Sequence, residues 1–282
     1  MQSYALIGHP LGHSLSPQIH ARLFALEGLD ARYELTDIAP EDLTAQMPLL
    51  RRHLRAFNVT IPHKRAVIPL IDSLTENARL YGAVNSVSIG GDGHAEGDNT
   101  DCGGFLRAMQ AAGIALETSV CVLGAGGVGR MFAIECARRG ALVTIAVRGT
   151  NLDKAQALAA EIETLCGKRP RTCALSELRG HYGLVINGTP VGMYPKIDAC
   201  PVSEDFLAGV DAVFDCVYNP SETLLLGRAR AYGKKTAGGM AMLVWQAAIA
   251  HERWHGTHFQ EADVARIITD MERALTEKER GQ

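Results

Sequence analysis

Short apolar runs alternate with segments of helical period along most of the chain. YALIG (4–8) reads as a strand, and PQIHARLFALEG (17–28) as a helix that stops at a glycine. RYELTDI (32–38), LRAFNVTI (54–61) and SVSIG (86–90) are further strand-like runs, and FLRAMQAAG (105–113) is helical. Residues 119–149 hold the sharpest pattern: VCVLG, an unbroken apolar run, then GAGGVG, then RMFAIECARRG, a helix closed by Gly140, then ALVTIAV. Strands and helices alternating on this scale predict βαβ units and largely parallel sheets, an α/β fold. No internal repeat, low-complexity tract or Pro/Ser-rich linker interrupts the pattern, so domain limits have to come from motifs.

GAGGVG lies between a strand and a helix, with a second strand following, inside a unit of about 30 residues, the order of a dinucleotide-binding turn. Glycines there let the backbone approach a pyrophosphate, and a helix starting near Gly127 offers free N–H groups and a positive dipole end. A nucleotide fold usually starts at the first strand of a chain, but this one starts near residue 119. The roughly one hundred residues before it therefore predict a separate substrate domain. After the second strand an acid would bind the ribose hydroxyl of NAD, whereas an arginine suits the 2′-phosphate of NADP. The chain reads AVRGTN, with Arg148 and Thr150 at that place and no acid before Asp153, which favours NADP over a solvated loop charge.

Four polar motifs punctuate residues 8–101. In GHPLGHSLSPQIH, Ser16 before Pro17 predicts a helix start, with Ser16 as N-cap and Ser14 just upstream. Two hydroxyls beside a helix N-terminus can bind a small carboxylate, although N-capping alone accounts for Ser16 equally well. In NVTIPHK, Thr60 ends a strand, Pro62 turns the chain, and Lys64 opens a helical stretch. A lysine there opposes the helix dipole, so something other than local stability keeps it. Alone, Lys64 reads more readily as a surface residue, Asn85 in GAVN as a turn residue, and Asp101 in GDNTD as a helix cap. Together they all fall at strand or helix ends, the edges that form the ligand crevice of an open α/β sheet. That mixture of donors and acceptors suits a polyhydroxylated carboxylic acid.

Composition narrows the field. A chain of 282 residues, 47% hydrophobic and 21% charged, has ample core for two domains. A formal charge of −3 gives no global attraction for nucleic acid or acidic membranes. No run approaches the ~18 apolar residues of a membrane span, and the N-terminus has no basic segment of a secretory leader. Seven dispersed cysteines read as reduced thiols of a cytoplasmic protein, and ten histidines without an HExxH pattern predict no metal.

The motifs HSLSP, NVTIPHK, GAVN, GDNTD, GAGGVG, INGTPVGM, DCVYNPSET and GGMAMLVWQA, in this order over residues 8–247, resemble those of the shikimate dehydrogenase family. The resemblance implies a mostly parallel α/β substrate domain (1–103 with 239–282) and a Rossmann NADP-binding domain (104–238), with C-terminal helices packing back on the first. It implies reversible reduction of 3-dehydroshikimate to shikimate, a step of aromatic amino-acid (chorismate) biosynthesis. By the family pattern Lys64 and Asp101 are the catalytic pair. Ser14, Ser16 and Tyr218 surround the substrate carboxylate, and Thr60, Asn85, Asp101 and Gln246 hold ring hydroxyls. Gly124, Ala125, Gly126, Gly127 and Val128 match the phosphate loop. Thr189, Pro190 and Gly192 pass near the nicotinamide, and Gly239 and Met240 lie at its face; without the resemblance Met240 reads as a core residue.

Two departures qualify the match. The family's NRT after the second nucleotide strand is VRG here, with Val147 and Gly149 flanking Arg148, which leaves use of NAD open. An asparagine often seen after the first motif is Ala21. Serine rather than threonine at position 16 leans toward shikimate over quinate. In the implied reaction the nicotinamide supplies a hydride, and an ammonium near the carbonyl oxygen stabilises its developing charge and donates a proton, with either Lys64 or Asp101 as the carrier. The rivals are a quinate/shikimate or amino-analogue dehydrogenase, a non-catalytic ligand sensor, and a folate-type dehydrogenase. A sensor has no use for a lysine–aspartate pair, and a folate enzyme predicts other substrate loops. Monomer and homodimer fit equally, and the charged ALTEKERGQ tail is expected to fray.

Overall fold

The computed structural model describes residues 1–12 and 14–280. His13 of the HSLSP motif and Gly281 and Gln282 of the charged tail lie outside the described residues. The chain forms two compact units: Met1–Gly104 with Val244–Met271, and Phe105–Leu243 with the residues from Glu272 onward. No helix among the described residues is long and apolar enough to cross a membrane.

The first unit is built on β1 (Gln2–Gly8), β2 (Ala31–Asp37), β3 (Ala56–Val59), β4 (Ser73–Leu74), β5 (Ser86–Ile89) and β6 (Ala95–Asp98), in the order β2-β1-β3-β5-β6-β4. Helices α1 (Ser16–Glu27), α2 (Leu43–His53), α3 (His63–Ala66) and α4 (Glu76–Tyr81) connect the strands. Alternation along β1 and β3 sends Ala5, Ile7, Phe57 and Val59 to one face, where they pack with Leu43, Met47 and Leu50 of α2. Tyr4 and Ala56 face the other way, toward Phe24 of α1. The sheet is parallel-rich but mixed. β2, β1 and β3 run parallel, and β5 is antiparallel to both β3 and β6. Between β5 and β6 the physical reason is the short Gly90–His94 turn, closed by Gly90 N–H donating to the His94 carbonyl at 2.9 Å, which is too short for a parallel crossover.

The second unit holds β7 (Ser119–Leu123), β8 (Leu142–Val147), β9 (Arg171–Ala174), β10 (Tyr182–Asn187), β11 (Val210–Asp215) and β12 (Lys235–Gly238), all parallel, in the order β12-β11-β10-β7-β8-β9. Its strands are buried on both faces, which is why they read as unbroken apolar runs. Cys121, Leu123, Val185 and Val213 share one face, while Phe132 and Phe214 meet Phe105 on the other, with centroids 4.6–5.6 Å apart. The remaining helices are α5 (Asp101–Ala111), α6 (Gly127–Arg138), α7 (Leu152–Cys166), α8 (Glu204–Ala208), α9 (Leu224–Ala231), α10 (Gly239–His255) and α11 (Glu261–Arg280). The tail expected to fray is helical through Arg280. The strand order is that of a doubly wound dinucleotide-binding sheet, with its switch point between β7 and β10.

Candidate functional site

Strand direction in the first unit decides which residues meet. β1 and β3 run parallel with Ile7 opposite Val59, so the segments leaving their carboxyl ends emerge side by side. A methyl placed on Gly8 would lie 2.4 Å from Thr60 Cγ2, and His9 N–H donates to the Ile61 carbonyl at 3.1 Å. Because β5 is reversed, with Ser86 opposite Asn58, its amino end reaches this edge and brings Asn85 with it. β6 reverses again, with Asp98 opposite Ser86, and delivers residues 99–101.

At that edge Lys64 Nζ donates to Asp101 Oδ2 at 2.6 Å. The Lys64 and Asp101 side chains are 29% and 17% exposed, sheltered yet reachable by a small molecule. Asn85 Nδ2 donates to Asp101 Oδ1 at 2.8 Å and reaches Gln246 Oε1 at 3.3 Å. Asn85 is itself clamped: its Oδ1 accepts the Thr100 N–H at 2.7 Å, and its carbonyl accepts from Val59 N–H at 2.9 Å and Asn58 Nδ2 at 3.0 Å. The Lys64 main chain is held through the Val84 N–H, which donates to its carbonyl at 2.7 Å. Asp101 is the first residue of α5, and its carboxylate faces Lys64 and Asn85. Thr100 stands inside the GDNTD motif, but nothing local marks it as a clamp on Asn85.

Ser14 and Ser16 meet, with Oγ atoms 3.0 Å apart. The expected N-cap role of Ser16 is corrected: the cap position is Leu15, Ser16 is already helical, and the Ser14 hydroxyl accepts the Ser16 N–H at 3.2 Å. A hydroxyl two residues upstream takes that amide, so the helix starts one residue earlier than expected and Ser16 Oγ does not cap it.

In the second unit, Gly124 leaves β7 at φ +100°, a left-handed conformation that requires glycine, and a Cβ there would lie 2.8 Å from Thr189 Cγ2. Ala125, Gly126, Gly127 and Val128 complete the turn. Gly126 occupies the N-cap of α6 with no side-chain cap, so the first N–H groups are left for an anion. Gly129, which the sequence reading passed over, is the close-packing glycine: its Cβ would lie 2.3 Å from the Gly124 carbonyl oxygen. The turn thus fits a pyrophosphate. Arg148 directly follows β8, and it and Thr150 are exposed.

Thr189 and Pro190 follow β10. Thr189 Oγ1 donates to Asn187 Oδ1 at 2.7 Å, and Asn187 Nδ2 donates to Asp215 Oδ1 at 2.9 Å. Asp215, fully buried, also accepts from Val217 N–H at 3.0 Å and Thr223 Oγ1 at 2.7 Å. Gly192 is buried farther along the same loop. Gly239 N–H donates to the Val217 carbonyl at 3.3 Å, tying the start of α10 to the loop that carries Tyr218, and Met240 is 2% exposed. Burial pushes the Tyr218 phenol up. Tyr218, Arg148 and the glycine turn belong to the second unit, Lys64 and its partners to the first.

Burial raises the Asp215 carboxyl to about 6, against the pull of the Thr223, Val217 and Asn187 hydrogen bonds. Its folded pKa lies above the unfolded value of about 4, so the folded chain holds the proton more tightly. The stability linked to this group is full at low pH and falls as pH rises from about 4 to about 6, by roughly 3 kcal/mol in all. Asp215→Asn retains the shape and most hydrogen bonds, and should remove that fall. Denaturant unfolding of both proteins at pH 4 and 7 checks it; parallel pH dependence in the two would refute the assignment.

The sequence model of the shikimate dehydrogenase substrate binding domain matches residues 6–87. A shikimate dehydrogenase (NADP(+)) of Caldanaerobacter subterraneus subsp. tengcongensis is 38% identical over 262 residues, 92% of this chain and 93% of that protein. The crystal structure of a shikimate dehydrogenase in complex with NADP+ superposes with a TM-score of 0.86 at 35% identity, over 96% of this chain and 95% of that one. Shikimate 5-dehydrogenase of Thermus thermophilus, in complex with NADP(H) and shikimate, gives 0.86 and 35% over 96% and 99%. The chain belongs to the shikimate dehydrogenase family.

Proposed function

We propose that the Lys64–Asp101 group binds shikimate and 3-dehydroshikimate and handles the proton of their interconversion. The chain is an NADP-dependent shikimate dehydrogenase, an oxidoreductase of aromatic amino-acid biosynthesis. The observation that carries the residue assignment is the 2.6 Å contact of Lys64 with Asp101, joined to Asn85 and Gln246. NADPH, when bound, would supply the hydride to the ketone carbon and leave as NADP+.

Reduction of the ketone leaves charge on its oxygen. An ammonium has three N–H donors, and Asp101 occupies one, so Lys64 has donors to offer that oxygen. Asp101 holds the ammonium in place and accepts a substrate hydroxyl. Thr60, Asn85 and Gln246 take further hydroxyls, and the Ser14–Ser16 pair takes the carboxylate. In the second unit the turn from Gly124 to Val128 holds the pyrophosphate, Arg148 and Thr150 the 2′-phosphate, and Thr189, Pro190, Gly192, Gly239 and Met240 the nicotinamide end. The first unit is the substrate domain and the second the cofactor domain. Seven cysteines, none in a disulfide, accord with a reducing, cytoplasmic location.

Purified protein given shikimate and NADP+ should form NADPH, followed by its absorbance. Absence of shikimate-dependent reduction, or faster turnover of quinate, would overturn the reading. Arg148→Ala should raise the KM for NADPH about tenfold or more while that for NADH stays near its original value, since a charged phosphate contact is lost. Equal rises for both cofactors would remove Arg148 from 2′-phosphate recognition.

A further inference from the structure

A second cluster of titratable groups lies in the first unit and uses none of the residues assigned to the reaction. His251 Nδ1 is 2.8 Å from Glu27 Oε2, and His255 Nδ1 is 2.9 Å from Glu27 Oε1. One ligand atom from each of the three residues can be chosen so that all lie within 4.8 Å of one another. His251 and His255 are four residues apart on α10, so both rings leave the same helix face. Glu27 is the last residue of α1 and His255 the last of α10. Two helix C-termini, each carrying partial negative charge, therefore flank the cluster and favour a cation.

The far side of each ring is already occupied. His251 Nε2 meets His20 Nδ1 at 2.8 Å, and His255 Nε2 meets the Tyr4 hydroxyl at 2.9 Å. Tyr4 gives its own proton to Gln2 Oε1 at 2.6 Å, so its oxygen accepts from His255 Nε2–H. In the tautomer with its single hydrogen on Nε2, His255 turns a lone pair at Nδ1 toward the Glu27 carboxylate. Two acceptors face each other, and only a proton or a metal cation satisfies both. Imidazole nitrogens whose other N–H is held by a second partner are the usual arrangement around zinc.

We infer that Glu27, His251 and His255 form a binding site for one divalent transition-metal ion of the zinc class. Two imidazoles and a carboxylate are a zinc donor set, and bonds of about 2.0–2.2 Å would draw ligand atoms now up to 4.8 Å apart to roughly 3.5 Å of one another. His251 and Glu27 are buried at 0% and 5% exposure, while His255 at 17% leaves a way in for the ion and a place for a water as fourth ligand. Bound there, the ion would clasp the ends of α1 and α10, which are 228 residues apart in sequence.

Cobalt(II), which reports coordination number through its visible absorption, is the probe. Metal-free full-length protein should take up one Co2+ per chain with the strong absorption of a four- or five-coordinate site. Glu27→Gln and His255→Gln should each weaken binding by about tenfold or more. Weak octahedral spectra, or affinity unchanged in both variants, would overturn the proposal. Anomalous scattering from zinc-soaked wild-type crystals is independent of how the variants fold: a peak among the three side chains supports the site, and a peak elsewhere or none overturns it.

Discussion

Lys64→Ala should lower shikimate turnover by about two orders of magnitude or more, the scale of a lost general acid or charge stabiliser. The side chain is held by Asp101 at 2.6 Å, so removing it deletes the ammonium and leaves the carboxylate of Asp101 with Asn85 alone. The loss should fall mainly on kcat, because the developing oxyanion exists only in the transition state. Asp101→Asn should reduce both kcat and affinity, since Asp101 orients Lys64 and also accepts from the substrate. If the two residues act as a unit, the double variant will be far less impaired than the product of the single losses. Stopped-flow and steady-state kinetics of the three proteins test this. Near-normal kcat in Lys64→Ala would end the assignment, and independent losses would separate the pair.

Gly129→Ala should lower the thermal midpoint and NADPH affinity together, whereas Gly127→Ala should leave the fold intact. A Cβ on Gly129 would meet the Gly124 carbonyl oxygen at 2.3 Å and its carbon at 3.0 Å, both backbone atoms, so α6 must move away from β7. Overpacking of this kind costs roughly 1–3 kcal/mol, or about 5 °C in Tm for a unit of this size. The same movement displaces the N–H groups of α6 that the turn offers to a pyrophosphate, so Kd for NADPH should rise about tenfold or more. A Cβ on Gly127 meets nothing within 4 Å. Alanine also favours a helix over glycine, so Tm for that variant should hold or rise. Circular dichroism melts and fluorescence titration with NADPH distinguish the two. Equal Tm values would show that the helix–strand contact at Gly129 is slack.

The second unit was legible because its signals are local. VCVLG, GAGGVG and the helix to Arg138 follow one another in sequence, and β7 needs burial on both faces, so composition, period and turn chemistry agree. Even there Gly129 and the Asn187–Asp215 link escaped notice. Nothing around Asp215 says that the Thr189 segment will reach it through Asn187.

In the first unit, the sequence by itself determined that polar residues at strand and helix ends would gather at a crevice, and it named Lys64, Asn85 and Asp101. Which strand ends share an edge was decided only by tertiary structure. β5 had to run antiparallel to β3, and β6 to return through a short turn, for Asn85 to stand beside Val59 and Asp101. Ser16 shows the same division at one residue: local propensity made it the helix cap, but the Ser14 hydroxyl accepts its N–H and the helix already includes it. Glu27, His251 and His255 are the extreme case: the two histidines share one helix, but their carboxylate lies 224 residues away from His251. Side-chain period and capping are properties of a few consecutive residues. Strand direction and helix docking are settled by burial of the whole sheet, and that is where the sites are assembled.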